Sequence, residues 1–131
     1  MKRPTFFMTA YLVGLCCVSL IACGSSEWAG TSTNEKGDFN FGPASFTVKG
    51  DQILNFKIER VTTSGCGGMK SVIVPSGIVI KGSEFAGSYK PIEGIDDTII
   101  VTGTMSGNSA SGTFTEGPTC RNSGKFVASA K

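Results

Sequence analysis

The clearest strand pattern in the chain lies at Phe46–Glu59, with the sequence FTVKGDQILNFKIE. Apolar and polar residues alternate on both sides of a central Gly-Asp pair: Phe46 and Val48 before it, then Leu54, Phe56 and Ile58 after it. A period of two is typical of a strand with one buried face, and Gly-Asp between two such runs is a turn signal. This stretch therefore predicts an antiparallel hairpin whose core face carries Leu54, Phe56 and Ile58.

The same alternation continues on both sides of the hairpin, with Gly, Pro, Asn and Asp at each reversal. Further strands are expected at Trp28–Thr33, Ser71–Val74, Ile78–Ile80, Phe85–Tyr89, Thr98–Met105, Ala110–Thr115 and Lys125–Ala130. In the strand from Thr98, the neighbours Ile99, Ile100 and Val101 predict burial on both faces. The chain from residue 27 onward is thus predicted to be all-β. We expect one small antiparallel β-sandwich or flattened β-barrel of about eight or nine short, mostly hairpin-connected strands.

The N-terminus has the layout of a secretory signal peptide. Lys2 and Arg3 precede an uncharged, mostly apolar stretch over residues 6–22, as the positive start and apolar middle of a leader require. An uncleaved membrane helix is the alternative, because the apolar run is only slightly shorter than the ~20 residues that span a bilayer.

Leu20-Ile21-Ala22-Cys23 resembles the lipobox of bacterial lipoproteins. This resemblance implies cleavage before Cys23, a diacylglyceryl group on its sulfur and usually a further acyl chain, such as palmitate, on the new amino group. Two or more acyl chains hold a protein stably to a membrane. The chain then divides into a helical signal peptide (1–22), a lipidated cysteine with a short tether (23–26) and the β-domain (27–131).

The resemblance also implies a location. The protein would be exported and lipid-anchored to a bacterial membrane. Gly24, rather than Asp, follows the cysteine, which is similar to lipoproteins of the outer membrane in cells with two membranes; otherwise the anchor lies at the outer face of the cell membrane.

The cysteines support export. Cys16 and Cys17 would leave with the leader and Cys23 would carry lipid, so that Cys66 and Cys120 remain. Two thiols in an oxidising compartment predict one disulfide. A metal or redox pair is the alternative, although the chain contains no His.

The part after the leader also resembles a group of uncharacterised bacterial secreted all-β proteins. The matching residues are Trp28-Ala29-Gly30, Phe46-Thr47-Val48, Cys66, Gly103-Thr104, Gly112-Thr113-Phe114 and Cys120. The resemblance implies a fold and no activity.

The composition points away from catalysis and from nucleic acid. Without His the usual general base and metal ligand are missing, and we predict no catalytic residue, no enzyme activity and no cofactor. Removing Lys2 and Arg3 from the twelve basic residues leaves ten, equal to the ten acidic ones. Such a balance lacks the positive surface that binds nucleic acid.

A few residues are candidates for binding. Glu93, Asp96 and Asp97 could offer oxygens to a hard cation, although they lack the spacing of a dedicated calcium loop and a solvated hairpin tip is the preferred interpretation. Phe39, Phe41 and Tyr89 could present aromatic surface to a partner.

The predicted function is a structural or interaction module at the cell envelope. Its partners would be the membrane, through the acyl chains on Cys23, and an envelope protein or glycan. One alternative is a small inhibitor of a lysozyme or protease, since Gly87-Ser88-Tyr89-Lys90 resembles, with altered order and spacing, the Ser-Gly-x-x-Tyr loop of lysozyme-inhibitor lipoproteins. A second is a carrier of a small apolar ligand, since Glu27-Trp28 resembles the Gly-x-Trp of lipocalins without its Gly and eight strands can enclose a cavity.

Overall fold

The computed structural model describes residues 24–131, so the leader and Cys23 lie outside the described residues. Within this range the chain is all-β, as predicted, and holds no helix of the length and apolarity needed to cross a membrane. The nine strands are β1 (Ser25–Thr33), β2 (Asn40–Lys49), β3 (Gln52–Thr62), β4 (Met69–Val74), β5 (Ile78–Lys81), β6 (Glu84–Tyr89), β7 (Thr98–Ser106), β8 (Ser109–Gly117) and β9 (Asn122–Ala130).

The predicted hairpin is β2–β3, and its turn at Gly50 has a φ of 61°. The expected core face was partly wrong. Ile53, Phe56 and Ile58 are fully buried, whereas Leu54 is only half-buried. The reason is a bulge at Asn55, which has a φ of 56°. The bulge places one extra residue in β3 and so shifts the alternation of buried and exposed residues by one position.

A second irregularity follows in the same strand. Arg60 has a φ of 54°, and the register with β4 shifts between Ile58 and Val61. Bulges increase the local twist and bend of a strand. β3 bends enough to pair with β5 at its first residues and with β4 along its second half.

The strands close into a barrel. Antiparallel pairing runs through β1, β2, β3, β5, β6, β7, β8 and β9 and returns from β9 to β1. β4 is not part of this ring of eight, and among residues 24–131 it pairs with β3 alone. The fold is therefore a closed barrel with one additional strand, which decides between the two predicted architectures.

β7 has one buried face, not two. Ile99 and Val101 are 1% and 0% exposed, but Ile100 is 47% exposed. The prediction of burial on both faces was wrong because nothing in residues 24–131 covers the outside of the barrel at this strand, so Ile100 points to solvent.

The interior is filled by aromatic rings that lie over glycines. Phe85, Gly103, Gly112 and Phe126 are directly paired in one row across β6, β7, β8 and β9. The ring centroids of Phe85 and Phe126 are 6.3 Å apart, and Phe56 packs edge-on against Phe126 at 5.1 Å. A β-carbon on Gly103 would lie 2.4 Å from the Phe85 ring, and one on Gly112 would lie 2.7 Å from the Phe126 ring. The two glycines therefore provide the volume that the two rings occupy.

The two ends of the barrel differ. At one end, here called the turn end, the connections 50–51, 82–83 and 107–108 have two residues each, and β1 begins there. Ser25 and Ser26 pair with Lys49 and Val48, so the tether expected through residue 26 ends at Gly24. The opposite loop end carries the longer connections 34–39, 63–68, 90–97 and 118–121.

Replacing Gly112 with Ala tests the packing of rings over glycines. The new β-carbon would meet both the Phe126 ring and the Thr102 carbonyl oxygen, at 2.7 and 2.3 Å, and overpacking of this kind costs about 1–3 kcal/mol or more. Urea unfolding is expected to show this loss for Gly112→Ala, while the exposed Thr104→Ala changes the free energy of unfolding by less than about 0.5 kcal/mol. If Gly112→Ala and Thr104→Ala had equal free energies of unfolding, the close packing of the Phe126 ring over Gly112 would be contradicted.

Candidate functional site at the loop end

Three of the four loops at this end are joined to one another. Cys66 in loop 63–68 forms a disulfide with Cys120 in loop 118–121, with a Cα–Cα distance of 4.9 Å, which confirms the predicted bridge. Beside it, Ser64 and Arg121 exchange two backbone hydrogen bonds of 2.7 Å. Because β3 and β8 lie on opposite sides of the ring, this connection crosses the barrel mouth.

Asp97 attaches the third loop. Its carboxylate is buried and accepts the backbone N–H groups of Thr119 and Cys120, at 2.5 and 2.8 Å. The bond from Cys120 holds the pKa of Asp97 below its usual 3.8, with Thr119 acting in the same direction and burial opposing both. Asp97 thus fixes loop 90–97 to loop 118–121.

The acidic residues of loop 90–97 do not act together. Glu93 and Asp96 are exposed, while Asp97 is turned inward to the two N–H groups. Within residues 24–131 there is no group of three or more side chains of the metal-binding types arranged to hold an ion. The structure therefore gives the sequence candidates Glu93, Asp96 and Asp97 no shared site.

A buried polar cluster lies inside the barrel below these loops. Lys70 of β4 donates to both oxygens of Glu116 on β8, at 2.9 and 2.7 Å, and Asn122 on β9 donates to Glu116 Oε1 at 2.8 Å. The Glu116 side chain is 1% exposed and that of Lys70 is 31% exposed. A buried carboxylate needs such partners. This ion pair connects β4, whose one strand partner in the described part of the chain is β3, to β8 on the opposite side of the barrel.

The fourth loop, 34–39, is closed by its own hydrogen bonds. The Asn34 side-chain oxygen accepts the N–H groups of Gly37, Asp38 and Phe39, at 2.9, 3.1 and 3.2 Å, and Asn34 Nδ2 donates to Asp38. The loop presents Phe39, which is 55% exposed. Side chains that bond neighbouring backbone groups order a loop without help from the core.

The three aromatic candidates have different surroundings. Phe39 is exposed, whereas Phe41 is half-buried and packs on Phe114 with ring centroids 6.2 Å apart. Tyr89 is half-buried and lines a groove of about 250 Å³ beside β4. Of these three aromatic side chains, only Phe39 is largely exposed at the loop end.

Sequence reasoning missed other exposed apolar side chains at this end. Met69, Ile92 and Ile95 are 65%, 54% and 39% exposed, and Met69 directly follows loop 63–68. The signal was an apolar residue directly after a loop Gly or Pro, namely Gly68, Pro91 and Gly94. Together with Phe39 they place four exposed apolar side chains at the loop end, and exposed apolar side chains of this kind can contact a partner.

Comparisons of the chain with protein-family models, with curated proteins and with solved structures found no match.

Replacing Lys70 with Met tests the role of the buried cluster. The change leaves the Glu116 carboxylate buried without its cation, which typically costs about 3 kcal/mol. Urea unfolding is expected to show this loss, and Lys70→Met/Glu116→Gln should recover part of it because the uncompensated charge is gone. Lys125→Met, an exposed lysine of β9, is the control. A Lys70→Met protein as stable as this control would refute the role.

The pH dependence of stability tests the position of Asp97. Since folding lowers its pKa, its contribution is present above the unfolded value and is lost as the pH falls through the folded value. We expect the stability gap between the wild type and Asp97→Asn to be largest near neutral pH and to shrink between about pH 5 and 2. The exposed neighbour Asp96 provides the control: Asp96→Asn should follow the wild-type profile. If the difference in stability between the wild type and Asp97→Asn did not change with pH, the charge of Asp97 would not contribute to stability.

Proposed function

We propose that the chain is an exported lipoprotein that acts as a non-catalytic binding module at the cell envelope and contacts its partner with the loop end. The main support for the proposal is the position of the N-terminal strand relative to the two different ends of the barrel. β1 starts at the turn end, two residues after Cys23. Lipid on that cysteine would hold the turn end at the membrane and direct the loop end away from it.

The physical state of the loop end supports binding. Three of its loops are tied by the disulfide and by Asp97, and the fourth is ordered by Asn34. Ordering loops upon association costs free energy, so a surface that is ordered beforehand retains more of its contact energy. The exposed apolar side chains of the loop end would supply the free energy of contact with a partner.

The two alternatives have less support from the structure. Gly87, Ser88 and Tyr89 of the inhibitor-like sequence lie within strand β6 and not in a protruding loop, and of these three residues Ser88 is the exposed one. A carrier needs an open interior, but phenylalanine rings occupy this one. A shallow groove of about 730 Å³ lies instead on the outer wall, along the exposed side chains of Val79, Ala86 and Thr102.

The anchor is tested directly by mass spectrometry of the protein isolated from its own membranes. A chain that begins at Cys23 and carries a diacylglyceryl group is expected, and Cys23→Ser should leave the membrane fraction because the thioether cannot form. An intact chain that begins at Met1 without lipid would overturn the anchor.

The contact surface is tested with matched pairs of exposed apolar residues. Phe39 and Ile92 of the loop end are 55% and 54% exposed, and Val127 and Ile100 of the barrel wall are 55% and 47% exposed. Phe39→Ser/Ile92→Ser is expected to lower the amount of co-purifying envelope protein by about tenfold, equivalent to about 1.4 kcal/mol of binding energy. Val127→Ser/Ile100→Ser should leave it unchanged. Equal retention by the two double variants would contradict the proposal.

A further inference from the structure

One carboxylate oxygen inside the barrel is shared by an amine and an amide. Glu116 Oε1 accepts from Lys70 Nζ at 2.9 Å and from Asn122 Nδ2 at 2.8 Å, and Glu116 Oε2 accepts from the same amine at 2.7 Å. The amine and the carboxamide therefore lie against the same atom. An amine can act as a nucleophile, a carboxamide can be attacked by it, and a carboxyl group can carry the protons.

The register of the strands fixes this arrangement. Asn122 on β9 is the direct cross-strand partner of Glu116 on β8, and side chains at such positions are close neighbours. Lys70 lies on the same face of β4 as Val72 and Val74, which are buried. The fold thus brings together three groups from three strands, and groups held in contact react as if they were highly concentrated.

Proton transfer within the ion pair supplies the reactive form of the lysine. The Glu116 side chain is 1% exposed, and charges are costly at a buried site. A proton that passes from the Lys70 ammonium to the Glu116 carboxylate removes two opposite charges from this site. It leaves an uncharged amine, which is the nucleophilic form of lysine.

The other polar atom of the amide provides a second observation. Asn122 is 9% exposed, and its Oδ1 is the one buried side-chain oxygen or nitrogen without a hydrogen-bond partner among residues 24–131. A buried polar atom without a partner is destabilising, and such atoms in folded proteins call for a chemical explanation. Holding Glu116 through Nδ2 alone does not provide one, because the other half of the amide stays unsatisfied.

We propose that Lys70 and Asn122 join through an isopeptide bond, with Glu116 as the acid–base group. The uncharged amine attacks Cγ of Asn122, the Nζ–Cγ bond forms and the Cγ–Nδ2 bond breaks. Glu116 gives its proton to the leaving nitrogen and takes one from the attacking nitrogen. Ammonia leaves and takes up that second proton, so that Glu116 is again a carboxylate.

The groove beside β4 provides a way out for the ammonia. The Lys70 side chain is 31% exposed and lines this groove, of about 250 Å³, together with Ser71 and Tyr89. Loss of ammonia to solvent makes the reaction irreversible. The reaction takes place once in each chain and is therefore no enzyme activity. It would tie β4 to β9 by a bond that, unlike the disulfide, a thiol cannot open.

Peptide mass spectrometry of the full-length protein, purified from whole cells, tests the proposal. After reduction and alkylation, trypsin should release residues 61–81 joined to residues 122–125, because an acylated Lys70 is no longer cleaved. The joined peptides should be lighter than the two separate ones by about 17 Da, the mass of one ammonia. Fragmentation should locate the link at Lys70 and Asn122.

Three variants test the assigned roles. Lys70→Arg keeps a cation beside Glu116, but a guanidinium stays protonated and cannot attack, so residues 122–125 should appear as a free peptide. Glu116→Gln should give the same result, because an amide cannot carry the protons. Glu93→Gln replaces an exposed glutamate and should retain the linked peptide. Urea unfolding of each variant establishes that it is folded.

The wild-type protein alone can overturn the proposal, whether or not the variants fold. Free peptides 61–70 and 122–125, without a linked form, would leave the cluster as an ion pair and nothing more. A loss of ammonia at Asn122 with Lys70 still cleaved by trypsin would also overturn it. A linked peptide from folded Glu116→Gln would refute the acid–base role. The inference is independent of the proposed function, whose tests use Cys23, Phe39 and Ile92.

Discussion

The packing of the Phe85 and Phe126 rings over Gly103 and Gly112 is the constraint on which the rest of the structure depends. Four directly paired residues across four strands supply two large rings and two positions without side chains. The rings can fill the barrel only because the glycines leave room, since protein interiors tolerate neither voids nor overlap. Because the interior is filled, a partner has to bind at the outside of the barrel or at one of its ends. The exposed side chains of the loops are therefore candidates for binding.

The polar groups of the loop end serve to hold loops and strands in place. Asp97 accepts two backbone N–H groups, the disulfide ties two loops across the mouth, and Lys70 connects β4 to Glu116 on the far wall. Each joins segments that are far apart in the chain. The exposed apolar side chains of loop 90–97, Ile92 and Ile95, therefore lie on a loop that is held in place, which favours binding. The turn end, with its two-residue connections, offers no comparable surface.

Much of the fold could be predicted because the alternation of apolar and polar residues along a strand is visible within a few neighbouring residues. It located all nine strands, although β2 begins at Asn40, six residues before the predicted start at Phe46, and the count of cysteines predicted the disulfide between Cys66 and Cys120. The bulges could not be predicted: Asn tolerates a positive φ, so Asn55 gave a weak hint, but Arg60 gave none. Closure of β9 on β1 and the free edge of β4 depend on long-range register, which alternation does not encode. The ion pair of Lys70 and Glu116 could not be predicted either, because the two residues are 46 positions apart in the chain. The role of Asp97 could not be predicted because it binds backbone N–H groups, which do not depend on the identity of the residues that supply them.

Nuclear Overhauser spectroscopy of the labelled protein can detect the packing of these rings on the glycines. We expect cross-peaks from the ring protons of Phe85 to the α-protons of Gly103 and from those of Phe126 to Gly112, with both glycine resonances displaced by the ring currents. Glycine α-protons at ordinary shifts, with no contact to either ring, would contradict the filled interior and with it the assignment of recognition to the outer surface.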